Sequence, residues 1–308
     1  MTRLFGWATR ARAARLGTVA GLAAALCLTT ACLPPGIAAQ VGSTGTTVER
    51  VQRALALPVD GYYGPSTAAA VARWQSGHHL ARTGRVDTAT MRALFPFPVS
   101  TRTIGASVRG LPITMQIVGD PHASRRVVVL GCIHGNECAG VPVLTALSAV
   151  APPKGVAYYL VDYPNPDGAL AGTRQNAHLV DLNRNFPGWQ PAGSPGYVYY
   201  PGVGPLSEPE SRAIYTLINY VKPAVFLSYH QAMNIIDFDG GNLLAGLGYA
   251  LRSGEPYIET THYKGSATTW ANLAYPHMTV LTVELPAHVS AAQITAHLQA
   301  AQWIATHA

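Results

Sequence analysis

The sequence predicts an α/β protein, a mixed and largely parallel sheet flanked by helices, preceded by a small three-helix domain. Three observations carry this prediction. From Thr101 onward, β-branched apolar runs alternate with helical patterns, as in sheets covered on both faces. Residues 47–96 hold three short helical patterns instead. Between the two regions, Phe95-Pro96-Phe97-Pro98 interrupts any regular element and places a boundary near Pro98 to Thr101.

The chain opens on a leader. Residues 1–39 carry Arg3, Arg10, Arg12 and Arg15 with no acid, then the apolar Leu16 to Leu28, then small residues, which is the layout of a secretory signal peptide. A cut after Ala39 leaves Gln40 first and predicts a secreted or wall-associated protein with no stable membrane span. A retained anchor is the alternative, but the apolar run is short for a spanning helix. Lipoprotein anchoring at Cys32 is a lesser alternative, because Thr29 stands three places before that cysteine. Of 21 basic residues, 17 remain after the leader against 15 acidic ones, so the formal charge of +6 falls to +2. Nucleic-acid binding thereby loses its main support.

After a linker at residues 40–46, the first folded unit spans residues 47–98. Val48, Val51, Leu55 and Leu57 mark its first helix, Ala68, Val71, Ala72 and Trp74 the second, and Met91 with Leu94 the third. Gly64-Pro65 is a turn, after which Ser66 or Thr67 is expected to cap the second helix. The order Val51-Gln52-Arg53-Ala54-Leu55, Asp60-Gly61-Tyr62-Tyr63-Gly64-Pro65-Ser66-Thr67, Trp74-Gln75 and Gly84-Arg85-Val86-Asp87 resembles the peptidoglycan-binding domain of the three-helix type. The resemblance implies a cell-wall ligand. Taken alone, the polar residues of these turns are expected to serve turn structure. Six basic against three acidic residues in this unit suit an anionic wall polymer.

The second unit spans residues 99–308. Strands are expected at Ile104–Val108, Ile113–Val118, Val127–Ile133, Ala157–Asp162, Val225–Tyr229 and Met278–Leu285. Helices are expected at Ala139–Val150, Ala213–Val221 and Ala291–Ala305. Ser207 and Glu210 read as a capping box at the start of the second of these.

The unit is organised around Val127-Val128-Val129-Leu130-Gly131-Cys132-Ile133-His134-Gly135-Asn136-Glu137, where a buried-strand run breaks into a polar turn. Functional groups in open α/β sheets gather past the carboxyl ends of such strands. A histidine and a carboxylate three residues apart on a turn can reach one divalent metal. Cys132 and Cys138 bracket that turn, and either pair as a disulfide or remain as two small buried thiols.

Three further stretches follow: Asp181-Leu182-Asn183-Arg184-Asn185-Phe186-Pro187, Leu227-Ser228-Tyr229-His230 and Val280-Leu281-Thr282-Val283-Glu284-Leu285-Pro286. Together with the first stretch and Arg174, in this order, they resemble the zinc carboxypeptidase family, most closely its murein peptide amidase branch. The resemblance covers about residues 100–308. It implies one zinc per chain on His134, Glu137 and His230, with Asp181 holding a ligating imidazole in its metal-binding tautomer. It makes Glu284 the general base that takes a proton from zinc-bound water, and Arg174 the oxyanion partner. Asn183 and Arg184 would bind a substrate carboxylate. Tyr263 would close over substrate, although the loop between Tyr263 and Gly265 is shorter than usual. Gln231-Ala232 lacks the tyrosine that pancreatic enzymes carry two places after this histidine, which argues against a digestive carboxypeptidase.

The function so implied is hydrolysis of peptidoglycan stem peptides (muropeptides) at the γ-D-Glu to meso-diaminopimelate bond. Endopeptidase and carboxypeptidase action both remain open. One alternative is a zinc deacylase of the succinylglutamate desuccinylase and aspartoacylase group, which shares HGNE-like and DLNR-like segments. Another is a wall-binding protein without catalysis.

Overall fold

The computed structural model describes residues 36–259 and 262–308. The expected signal segment, Cys32 included, lies outside the described residues up to its last four positions.

The first unit consists of β1 (Ile37–Ala39), α1 (Thr46–Ala54), α2 (Pro65–Gly77), β2 (Val86–Asp87) and α3 (Thr88–Leu94). The three helices surround a small core of Val48, Val51, Tyr63, Val71, Val86 and Phe95. β1 pairs antiparallel with β2 and buries Ala39, so a cut after Ala39 would strip a strand from this domain. The linker region is ordered as well, since Thr44 bridges to Tyr62. α2 starts at Pro65 on Gly64 without a side-chain cap from Ser66 or Thr67. Proline's fixed φ and missing N–H do that work at a first helical position. Two buried glutamines hold the loops: Gln52 donates to Asp60 Oδ1 at 2.6 Å and accepts from the Gly61 amide, and Gln75 accepts from the Thr83 and Gly84 amides.

The second unit runs β3 (Val99–Ala106), β4 (Pro112–Val118), β5 (Arg125–Leu130), α4 (Val141–Ser148), β6 (Val156–Val161), α5 (Pro166–Ala171), α6 (Pro209–Val221), β7 (Val225–Gln231) and β8 (Ile235–Gly240). It continues with α7 (Leu243–Ser253), β9 (Tyr257–Ile258), α8 (Ala267–Ala274), β10 (Thr279–Leu285) and α9 (Ala291–His307). The eight strands lie in the order β3-β4-β6-β5-β7-β10-β8-β9. The central four, β6-β5-β7-β10, are mutually parallel, and β3, β4 and β8 introduce the antiparallel pairings. Along β5 the side chains alternate between two cores. Val127 and Val129 pack with α4 and α9, Val128 and Leu130 with α6. Each such fully buried side chain contributes roughly 1.5–3 kcal/mol.

The expected strands and helices of this unit are present with shifted ends. β5 stops at Leu130, earlier than expected, which frees Gly131 to Glu137 to form the loop that carries the site. The capping box is not formed. Glu208 occupies the N-cap of α6 without a side-chain cap, while Glu210 turns inward to accept from the Val108 amide and Asn176 Nδ2. Tertiary partners outcompete the local cap here, because buried amide donors would otherwise stay unpaired.

The two units touch. Arg50 on α1 donates through Nε to the Ser148 carbonyl at 3.1 Å, at the end of α4, and Thr145 donates to Glu49 at 3.3 Å.

Candidate metal centre and active site

The parallel strands β5, β7 and β10 end side by side, and the site is built on those ends. His134 and Glu137 sit on the loop after β5, His230 near the end of β7, and Glu284 near the end of β10. The loop passes close under α5: a Cβ at Gly135 would lie 2.0 Å from the Gly168 carbonyl carbon, so only glycine fits between the two ligands. Cys132 and Cys138 form a disulfide across the base of the loop.

His134 Nδ1 lies 2.8 Å from Glu137 Oε2 and 3.1 Å from His230 Nδ1, and His230 Nδ1 lies 3.2 Å from the same carboxylate oxygen. His134 Nε2 faces Asp181 Oδ1 at 3.1 Å. With Nε2–H donating to that carboxylate, Nδ1 is left to present its lone pair to a metal held in the cluster. His230 Nε2 faces the Ser228 hydroxyl at 3.1 Å. Two imidazole nitrogens and a carboxylate oxygen thus converge on one point, an arrangement of acceptors that calls for a cation. These three residues, which line the cleft, would fit a divalent metal.

The electrostatics agree. Glu137 is held well below the usual carboxylate range: burial opposes ionisation, but His134 and His230 outweigh it. Asp181 is depressed in the same way, against burial, by His134, Arg174 and Arg184. Burial pushes His230 down to about 4, favouring the neutral ring a metal ligand requires. Arg174 braces both acids, donating to Glu137 Oε1 at 2.9 Å and through Nε and Nη2 to Asp181 Oδ2 at 3.0 and 2.9 Å. The second carboxylate oxygen of each acid is therefore fixed while the first addresses a histidine.

Glu284 stands apart from this ion-pair network. Burial, with the nearby Glu137 charge adding to it, raises its carboxyl to about 7, and its Oε2 is buried without a protein partner. A carboxyl poised near neutrality beside a metal cluster can exchange a proton during hydrolysis.

Asn183, Arg184 and Tyr263 line the same cleft, whose volume is about 590 Å³. The Asp181 side chain caps the short turn Leu182–Arg184 by accepting from the Asn183 amide, and Asn183 Oδ1 accepts from the Ala267 amide at the start of α8. The Arg184 guanidinium lies 4.7 Å from the centre of the Tyr263 ring, which is 48% exposed. Gly265, at φ 74°, lets that loop run against the Arg184 carbonyl.

The structure thus brings every sequence-predicted site residue to one cleft or directly behind it. It also adds residues the sequence reading passed over. Tyr199, on the Pro/Gly-rich loop after Trp189, stacks near both Arg174 and Arg184. Asp237, Asp239, Thr268 and Thr282 line the cleft's far end. The signal available for the two aspartates was the alternation Ile235-Ile236-Asp237-Phe238-Asp239, a strand pattern that places both acids on one face.

Comparison with known proteins follows the same division of the chain. Residues 44–94 match the peptidoglycan binding domain family. Murein peptide amidase A of Escherichia coli strain K12 is 31% identical over 205 residues, covering 62% of this chain and 83% of that protein. The protein of the same name from Vibrio campbellii is 29% identical over 222 residues, covering 66% and 86%. The crystal structure of the murein-tripeptide amidase from Escherichia coli O157 superposes with a TM-score of 0.57 at 28% identity, over 70% of this chain and 97% of that one. Carboxypeptidase A of Helicoverpa armigera shares the fold, with a TM-score of 0.56 at 21% identity over 71% and 69%.

Proposed function

Since this chain belongs to the murein peptide amidase family of metallopeptidases, we propose that it hydrolyses peptidoglycan stem peptides at the γ-D-glutamyl to meso-diaminopimelate bond, using one zinc ion per chain. The observation that carries the reading is the convergence of His134, Glu137 and His230 beside an unpaired, buried Glu284 oxygen. Zinc, when bound there, supplies a Lewis acid that activates water and polarises the scissile carbonyl.

The chain's own groups then divide the work. Glu284 takes the proton of the attacking water at Oε2 and hands it to the leaving amine. Arg174, anchored between Glu137 and Asp181, places fixed positive charge at the cleft wall where the carbonyl oxygen gains charge. Arg184 and Asn183 grip a substrate carboxylate, and Tyr263, exposed above Arg184, folds over it.

The first unit retains the enzyme on the wall polymer, and the leader directs it out of the cytoplasm. The Cys132–Cys138 disulfide supports that oxidising location. A mature chain that keeps β1 begins before Ile37.

Incubation with L-Ala-γ-D-Glu-meso-diaminopimelate tests the reading. Release of free meso-diaminopimelate, identified by mass, is expected. Its absence together with release of acetate or succinate from N-acyl amino acids would transfer the protein to the deacylases.

A further inference from the structure

The cleft wall beside Arg174 and Arg184 carries an aromatic ring that neither the metal cluster nor the proton transfer employs. Tyr199 is 45% exposed and lines the cleft, so core packing does not account for its placement. Its ring centre lies 5.3 Å from the Arg174 guanidinium carbon and 5.6 Å from that of Arg184. One ring thus serves two cations.

The loop that bears Tyr199 is tied down on both sides of it. Trp189 Nε1 donates to the Pro201 carbonyl at 3.0 Å, closing the loop at its base, and Asn185 Nδ2 donates to the same carbonyl at 2.7 Å. The Tyr200 carbonyl accepts from the Asp181 amide at 2.8 Å, and the Tyr197 carbonyl accepts from Gln175 Nε2 at 2.8 Å. Gln175 follows Arg174 in the chain, while Asp181 caps the short turn that ends in Arg184. The ring is therefore anchored through residues adjoining the two arginines it meets. Tyr197 adds an edge-to-face contact, with ring centres 5.7 Å apart.

The two arginines are held in different ways. Arg174 commits its Nε, Nη1 and Nη2 donors to Glu137 and Asp181. Among the described residues, Arg184 donates only through Nη1, to the Asn183 carbonyl at 2.7 Å, and its guanidinium lies over the rings of Tyr199 and Tyr263. A ring takes up none of the guanidinium's donors for a hydrogen bond, whereas a protein carboxylate would.

We propose that Tyr199 is a positioning residue for the substrate-carboxylate grip, its ring holding the Arg184 guanidinium in the cleft while leaving its N–H donors free. A guanidinium placed in advance loses less side-chain freedom when substrate arrives, which lowers KM and leaves the chemical step unchanged. The proposal deepens the amidase reading and rests on it for the identity of the substrate.

The test uses the full-length protein loaded with zinc and the peptide L-Ala-γ-D-Glu-meso-diaminopimelate. Tyr199→Phe keeps the aromatic face and should stay within about twofold of wild type in KM and kcat. Tyr199→Leu keeps apolar bulk without that face, and should raise KM about three- to tenfold while kcat holds within about twofold. In an Arg184→Ala background the same Tyr199→Leu change should alter kcat/KM by less than about twofold, because its effect passes through the missing guanidinium. A wild-type KM in Tyr199→Leu, a loss carried by kcat, or a loss of full size without Arg184 overturns the proposal.

Calorimetric binding of free meso-diaminopimelate to the same zinc-loaded proteins does not depend on turnover, and it decides the matter if the peptide is not cut. Affinity should then fall about three- to tenfold in Tyr199→Leu and hold in Tyr199→Phe, in which case the amidase reading alone falls. Equal affinity in wild type and Tyr199→Leu, including no measurable binding by either, overturns the proposal.

Discussion

Glu284 lies directly opposite His230 in the parallel pairing of β10 with β7. Paired residues of parallel strands point the same way, so the sheet itself sets the distance between a metal ligand and the group proposed to move the proton.

Glu284→Gln keeps the shape and removes the proton acceptor. Fold and metal content should be unchanged while kcat falls about 10²- to 10⁴-fold. Steady-state kinetics with parallel elemental analysis checks this, and a loss below about tenfold would remove Glu284 from the base role.

His230→Ala should abolish stoichiometric zinc binding. Asp181→Asn should weaken it about 10- to 100-fold, because His134 loses the carboxylate that fixes its tautomer. Competition with a chelator measures both, and unchanged affinity in either variant contradicts the ligand set.

Reduction of the Cys132–Cys138 disulfide should loosen the loop bearing His134 and Glu137. The expected outcome is faster zinc loss to a chelator after reductant treatment, reproduced by a Cys132→Ser, Cys138→Ser double variant. Identical loss rates would confine the disulfide to overall stability.

Asp162 gives a pH dependence of stability. Burial, with Glu49 on α1 adding to it, raises its carboxyl from the ordinary 3.8 to about 7. Between those values the unfolded chain has lost a proton that the folded chain keeps, so stability falls as pH rises through this window. Asp162→Asn should flatten that slope, raising Tm at pH 8 and leaving it nearly unchanged near pH 4. An unaltered slope in a thermal melt series would exclude Asp162 as its source.

Deleting residues 36–98 should reduce binding to insoluble sacculi and the rate of their digestion. The same deletion removes the Arg50 to Ser148 bond at the end of α4, so a lower Tm is expected as well. Tripeptide turnover, measured below that Tm, should change little. Loss of turnover in a folded truncated protein would mean that the docked domain shapes the active site.

Much of this protein was legible in the linear chain. Val127 to Leu130 announces a buried strand by composition alone, and His134, Glu137, His230 and Glu284 stand at strand ends, where open sheets collect functional groups. Those features are local, set by side-chain type and a short periodicity. What the chain could not disclose were partnerships between distant segments. Glu210 follows the spacing of a capping box, yet its carboxylate serves Val108 and Asn176 because burying their donors unpaired costs more than an uncapped helix start. Arg174 reads as one cationic residue in a loop, and only the fold shows it clamped between Glu137 and Asp181. Asp237 and Asp239 share a strand face by alternation, but only the pairing of β8 beside β10 brings that face to the cleft. Hydrophobic pattern determines which face a strand buries, whereas register, bulges and ion-pair choice are settled by which partners arrive across the sheet.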